Sequence, residues 1–198
     1  MRLKKFIIFI SFIVINLTCI SNSYSIEPDV FVQSTVNRAS QVLSDDLSKD
    51  QKINKLKSIA AETVDIQGIG MYTLGSYRKV LSEDQKKRYD ELFEQYFLKT
   101  FSSRLAEYSN PEIEVKSKKK LNKNYTMVSS ILVATEQRPK VNIDWRIYTK
   151  NPDEPKIRDL IIEGLSLVRT QREEFSSIIQ SNDGNINALL ANLKEFIK

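Results

Sequence analysis

The spacing of apolar residues changes twice along this chain, and these changes limit the folds that it can adopt. From 28 to 108, apolar residues recur every three or four positions, which is typical of amphipathic helices. From 112 to 163 they alternate instead, most clearly in "VNIDWRIY" at 141–148, and alternation is typical of strands with one buried face. Residues 166–197 return to the helical spacing, with a break at 182–184.

Four strands are predicted within residues 112–163, joined by short links. Short links between consecutive strands favour antiparallel hairpins. The chain is therefore predicted to be an α+β protein, with a four-stranded antiparallel sheet packed on one face by a helical layer. In the second strand, the face with the larger apolar residues is interpreted as Tyr125, Met127, Ile131 and Val133.

One long helix is predicted to begin after Ser82, because "SEDQ" at 82–85 has the pattern of a capping box. It continues to about Tyr108, a length of roughly 40 Å at 1.5 Å per residue. One of its faces is rich in aromatic residues: Tyr89, Leu92, Phe93, Tyr96, Phe97, Phe101, Leu105 and Tyr108. A stripe of this kind packs into a solid core or, if the sheet and the helices are splayed, lines an apolar slot. The spacing leaves both interpretations open.

The last predicted strand passes into a helix at Gly164. Leu160 and Ile162 share one face of this strand, and Asp159 and Glu163 lie on the other. The apolar pair is expected to face the helices, since a carboxylate is rarely buried without a partner.

The first 25 residues are predicted to be a cleaved secretory signal peptide. A basic start at 2–5 is followed by a mostly apolar stretch at 6–17, and Ser23 and Ser25 are spaced as a signal peptidase site needs. A membrane anchor is the alternative, but about a dozen apolar residues are too few to cross a bilayer comfortably. A lipoprotein would use Cys19, yet a smaller residue than Thr18 usually precedes such a cysteine. Residues 26–198 then form a single domain by length.

The mature chain lacks the residues on which much enzyme chemistry depends. It has no histidine, and its single cysteine, Cys19, is removed with the signal peptide. Histidine bases, cysteine nucleophiles and the usual zinc sites are therefore excluded, and carboxylate or Ser–Lys pairs remain only formal possibilities. Three of the 30 basic residues are also removed, which leaves 27 against 25 acidic residues, a net charge of +2. A nucleic-acid-binding protein needs a larger basic excess.

Two segments resemble those of a known family. Residues 71–109 contain a Leu-Gly pair, a Ser-x-x-Gln helix start and an aromatic helix that ends in Arg-Leu and Tyr-Ser. The matching positions are Leu74, Gly75, Ser82, Gln85, Phe93, Arg104, Leu105, Tyr108 and Ser109. Residues 164–175 contain Gly-x-Ser-Leu and Arg-x-x-Phe, at Gly164, Ser166, Leu167, Arg172 and Phe175. Both patterns resemble the MlaC family, periplasmic phospholipid-binding proteins also called toluene-tolerance auxiliary proteins.

The resemblance implies a soluble periplasmic carrier with an apolar slot between the sheet and the helices. The acyl tails of a phospholipid would lie in that slot as cargo, and no cofactor, metal or catalytic residue is implied. The implied partners are an inner-membrane ABC-type lipid transport complex and an outer-membrane lipoprotein complex. The carrier itself is expected to be a monomer. A periplasmic adaptor or chaperone that binds apolar protein segments is the alternative, and an enzyme acting on envelope lipid is a third interpretation.

The residues expected to line the slot come from the helices and from the sheet. The helical set is Leu74, Phe93, Phe97 and Phe101. The sheet set is Met127, Ile131, Val133, Val141, Ile143, Trp145, Ile147, Leu160 and Ile162. Since periodicity predicts faces and not cavities, some of these residues are expected to belong to an ordinary core.

Overall fold

A computed structural model describes residues 25–108, 111–136 and 138–198. The predicted signal peptide therefore lies outside the described residues, apart from Ser25. The helices are α1 (Pro28–Ser44), α2 (Lys49–Thr63), α3 (Ile66–Thr73), α4 (Glu83–Leu105), α5 (Leu167–Gln180) and α6 (Ile186–Ile197), with a 3₁₀ turn at Tyr77–Lys79. The strands are β1 (Ile113–Lys120), β2 (Tyr125–Leu132), β3 (Val141–Tyr148), β4 (Lys156–Ile162) and β5 (Leu165–Ser166).

The strands form one antiparallel sheet in the order β1-β2-β3-β4-β5. Its register aligns Val128 of β2 with Trp145 of β3, and Trp145 with Leu160 of β4. These three side chains consequently point to the same face of the sheet. The α+β class and the antiparallel arrangement predicted from the periodicity are confirmed.

The predicted number of strands, four, is wrong, because β5 adds a fifth. Glu163 and Gly164 both have positive φ, 47° and 82°, and they form the two-residue link between β4 and β5. Positive φ at both central residues of such a link matches the twist of a hairpin. The chain thus turns back for two residues before α5 begins, where the sequence predicted a direct passage from strand to helix.

Local sequence signals explain where several helices begin and end. Ser82 accepts a hydrogen bond from the amide of Gln85, whose side chain in turn accepts one from the amide of Ser82. This is the predicted capping box, and Ser48 and Gln51 form a second one at the start of α2. The short helix α3 ends before Gly75, which adopts a φ of +55° that is unfavourable for residues with a side chain.

The helices pack into two regions. Towards one end of the molecule, α3, α4, α5 and α6 form a solid cluster in which the ring of Phe175 lies edge-on to those of Tyr89 and Phe93. Burial raises the pKa of the Tyr89 phenol above its ordinary value, and the hydroxyl pairs with that of Thr73 at 2.8 Å. In the second region, α1, α2 and the end of α4 cover one face of the sheet.

We predict that replacing Gly70 with alanine destabilises the cluster. A Cβ atom at Gly70 would lie 2.8 Å from Cδ1 of Phe93, and Phe93 is only 2 % exposed. Overpacking of this kind costs about 1–3 kcal/mol, which outweighs the gain of up to about 1 kcal/mol that alanine has over glycine in a helix interior. Urea unfolding of the variant and the parent measures the difference.

The matched control is the same substitution combined with Phe93→Leu. The smaller side chain relieves the contact, so Gly70→Ala is expected to cost less on this background than in the parent. Equal costs on both backgrounds, or a Gly70→Ala variant as stable as the parent, contradict the prediction.

Candidate functional site

An apolar cavity lies between the sheet and the helices that cover it. Its volume is about 270 Å³, close to the lower end of the roughly 300–1,000 Å³ that small-molecule sites span. The helical wall comes from α1, α2 and the end of α4, and includes Val36, Leu43, Leu56, Ile59, Ala60 and Phe101. The sheet wall comes from all four long strands, and includes Ile113, Leu132, Ile143, Trp145, Leu160 and Ile162.

The polar side chains that line the helical wall have their hydrogen bonds satisfied within the protein. The hydroxyl of Thr35 donates to the carbonyl of Phe31 at 2.9 Å, and that of Thr63 donates to Ile59 at 2.7 Å. Ser40 donates to the carbonyl of Pro111 at 2.9 Å. These hydroxyls therefore present no unsatisfied donor to the cavity, and the wall behaves as an apolar surface.

In the sheet wall, the polar group of the chain's only tryptophan is also hydrogen-bonded within the protein. The indole N–H of Trp145 donates to the hydroxyl of Ser130 at 2.8 Å, and Ser130 donates to the carbonyl of Ile143 at 3.1 Å. Trp145 thus has its single donor satisfied inside the sheet, and its ring contributes apolar surface to the cavity.

Six of the thirteen residues expected at the slot line this cavity, although a role in binding lipid stays a prediction for all of them. The six are Phe101, Val141, Ile143, Trp145, Leu160 and Ile162. Leu74, Phe93 and Ile147 are instead at most 2 % exposed within the solid core. Phe97 does not line the cavity either, and it packs between Phe93 and Phe101, with its ring stacked on that of Phe101 at 5.5 Å.

The face predicted for β2 is wrong. Met127 is opposite Arg146 and Ile131 is opposite Asn142, so both side chains lie on the face of the sheet away from the cavity. Val133 follows the end of β2 and does not line the cavity. The buried face of β2 consists of Thr126, Val128, Ser130 and Leu132. The assignment was wrong because it relied on hydrophobicity. Thr126 and Ser130 are polar but lie on the buried face, whereas the larger apolar residues Met127 and Ile131 lie on the other face.

Sequence reasoning missed the contribution of α1 and α2. Leu43 and Leu56, from these two helices, are 4 % and 1 % exposed and line the cavity. The helical spacing of apolar residues over 28–108, of which both are part, was the only available signal. The aromatic stripe of α4 fulfils both of its interpretations, because Tyr89 and Phe93 belong to the solid cluster whereas Phe101 and Leu105 line the cavity.

Among the residues that line the cavity within the described ranges, Arg138 is the one that carries a charge. Its guanidinium lies over the ring of Tyr108, 5.5 Å from the ring centre, and one terminal N–H reaches the carbonyl of Val133 at 3.5 Å. Its Nε atom is buried and has no hydrogen-bond partner in the described part of the chain.

The described residues contain no group of three or more histidine, cysteine, aspartate or glutamate residues placed to hold a metal ion. None of their helices combines the length and the apolar character needed to cross a membrane.

A cavity with an apolar wall inside an α+β fold defines a protein able to bind an apolar ligand. Comparisons with known proteins give the family. The model of the family described as "MlaC protein" matches residues 33–195, which is most of the chain, and the chain belongs to the MlaC family. The resemblance seen in the sequence is thereby confirmed.

Individual relatives agree with this assignment. The chain is 24 % identical over 206 residues to the intermembrane phospholipid transport system binding protein MlaC of Haemophilus influenzae, covering 98 % of this chain and 94 % of that protein. It also shares its fold with the phospholipid-binding protein from Ralstonia solanacearum, solved in complex with a phospholipid, at a TM-score of 0.72 and 19 % identity. That match covers 87 % of this chain and 97 % of the other.

We predict that Ser130→Ala destabilises the sheet wall of the cavity. The substitution leaves the buried indole N–H of Trp145 without its acceptor, and an unsatisfied buried donor costs about 1–3 kcal/mol. Urea unfolding at neutral pH, followed by circular dichroism, measures the loss.

The neighbouring Ser129→Ala is the control. Ser129 lies on the opposite face and donates to Asp144, a partly exposed carboxylate that water can also solvate. The control is expected to cost less than Ser130→Ala, and the reverse order contradicts the prediction.

Proposed function

We propose that this protein is a phospholipid carrier of the periplasm that encloses the acyl tails of its cargo in the cavity between the sheet and α1, α2 and α4. The observation that carries the proposal is the cavity itself, whose wall is mostly apolar and whose lining threonine and serine hydroxyls donate within the protein. The phospholipid transport system named for the Haemophilus relative and the phospholipid bound to the Ralstonia protein support it.

The energetics of acyl tails explain why such a carrier must enclose them. Two tails of about 15 methylenes each, at roughly 0.8 kcal/mol per methylene, cost over 20 kcal/mol to expose to water. A bilayer and an apolar cavity offer the tails similar surroundings, so the net transfer between them is close to neutral. Direction must therefore come from the partners, and the carrier needs no chemical step of its own.

The proposed route places the carrier between two membrane complexes. It exchanges phospholipid with an inner-membrane ABC-type complex and with an outer-membrane lipoprotein complex, acting as a monomer after removal of its signal peptide. No catalytic residue, cofactor or metal takes part.

Native mass spectrometry of the mature protein, purified from the cell envelope, tests the proposal. We expect a population heavier than the polypeptide by the mass of one or more phospholipids, with the lipid recovered on solvent extraction. A bare polypeptide mass with no phospholipid in the extract contradicts it. Copurified apolar peptides in place of lipid would support the adaptor or chaperone function.

A substitution that fills the cavity tests its location. We predict that Ala60→Phe binds tails roughly tenfold or more weakly, because a phenyl ring that displaces two methylenes removes about 1.6 kcal/mol of tail burial. Ala60 is 1 % exposed and lines the cavity. Since Trp145 is the only tryptophan and lines the same cavity, quenching of its fluorescence by a phospholipid with brominated tails measures binding.

Ala61→Phe, one residue further along α2, is the matched control. Ala61 is exposed and does not line the cavity, so quenching is expected to remain at the level of the parent. Unchanged quenching in a folded Ala60→Phe variant would place the tails elsewhere.

A further inference from the structure

We propose that Arg138 binds the phosphate of the lipid whose tails occupy the cavity, and that this contact makes the protein prefer phospholipids to uncharged lipids with the same tails. The inference rests on the proposed function, because it assigns the polar end of the same site. It concerns the phosphate group that all phospholipids share and not the alcohol attached to it.

The backbone places Arg138 at the edge of the cavity. The amide of Thr135 donates to the carbonyl of Arg138 at 2.8 Å, and the amide of Arg138 donates to that of Thr135 at 3.3 Å. These two bonds close a tight link between β2 and β3. The link lies at the end of the sheet where Leu132 and Val141, which also line the cavity, stand opposite each other.

The contacts of the guanidinium account for only part of its hydrogen-bonding capacity. Its ring contact with Tyr108 uses the flat face of the guanidinium. Its bond to the carbonyl of Val133, at 3.5 Å, is longer than the roughly 2.7–3.2 Å of an ordinary N–H···O hydrogen bond. Nε is buried and has no acceptor among the residues that the structure describes. A buried donor without an acceptor is destabilising, and a purely structural role for Arg138 leaves Nε unexplained.

A phosphate matches this arrangement chemically. The planar guanidinium presents its donors as a fork that binds two phosphate oxygens at once, and such charge-assisted pairs are stronger than neutral hydrogen bonds. The other described residues that line the cavity are uncharged, so Arg138 is the counter-charge that this lining offers to an anionic group. A lipid with its phosphate at Arg138 and its tails against Trp145 and Leu160 satisfies both parts of the site.

Displacement of a bromine-labelled phospholipid, followed by recovery of Trp145 fluorescence, tests the inference. The competitors are dioctanoyl phosphatidylglycerol, dioctanoyl phosphatidylcholine and dioctanoylglycerol, which share their tails. For the parent protein we expect both phospholipids to compete roughly tenfold or more better than dioctanoylglycerol, as expected for a charge-assisted bond. Inorganic phosphate alone is expected not to displace the label, because it has no tails to bury.

In Arg138→Met the preference is expected to disappear while dioctanoylglycerol competes as before. Arg138→Lys retains the charge without the fork and is expected to keep an intermediate preference. Arg169→Met is the matched control, since Arg169 is exposed in α5 and does not line the cavity, and it is expected to retain the full preference.

Equal competition by phospholipid and dioctanoylglycerol in the parent, or a full preference in Arg138→Met, overturns the inference and leaves the carrier function intact. The first of these needs no variant and is decisive even if Arg138→Met fails to fold, in which case Arg138→Gln replaces it. Displacement by inorganic phosphate alone would show that the site binds free phosphate and would overturn the inference as well. A parent protein that binds none of the lipids contradicts the proposed function instead.

Discussion

The cavity depends on hydrogen bonds that attach the covering helices to the two sides of the sheet. The side chain of Gln33, in α1, accepts a bond from the amide of Val115 at 3.2 Å and donates to the carbonyl of Ile113 at 3.3 Å. On the other side, the amide of Asp65, just after α2, donates to the carbonyl of Ile157 in β4 at 3.0 Å. Because these bonds hold the helices at opposite sides of the sheet, the helices do not have to pack against its centre. Without such bonds, apolar layers close into a solid core.

The pairing of polar groups within the walls determines what the cavity can distinguish. The hydroxyls of Thr35 and Thr63 already donate to carbonyls of the protein. Such a wall offers an acyl tail only dispersion contacts and removal from water. Both are insensitive to where along the tail they act, so tails of different length can slide into the same space. If the cavity holds lipid tails as proposed, discrimination between lipids is left to its polar edge, where Arg138 lies.

Sequence patterns predicted the elements and the family well but described the site only in part. Alternation in 141–148 placed Ile143 and Trp145 on the buried face because that strand separates apolar from polar residues cleanly. The same reasoning failed for β2, whose buried face includes Ser130. This serine can be buried because it forms hydrogen bonds with residues of β3, and the pattern within β2 does not show those bonds. The spacing of residues could not predict the cavity, which only the family resemblance implied, because a cavity depends on the distance between layers. Contacts between residues far apart in the sequence set that distance, such as the bond from Gln33 to the residue 80 positions later.

The two helical regions divide stability and binding between them. Side chains around a cavity lose the dispersion contacts that a filled core provides. A ligand that fills the cavity therefore stabilises the folded state, by an amount that grows with the logarithm of its concentration relative to its Kd. A carrier whose whole core depended on its cargo would unfold each time it delivered a lipid. The cluster of Tyr89, Phe93 and Phe175 is packed by aromatic contacts within the protein and does not line this cavity. In the proposed carrier, this cluster supplies stability that does not depend on cargo, which repeated loading and release requires.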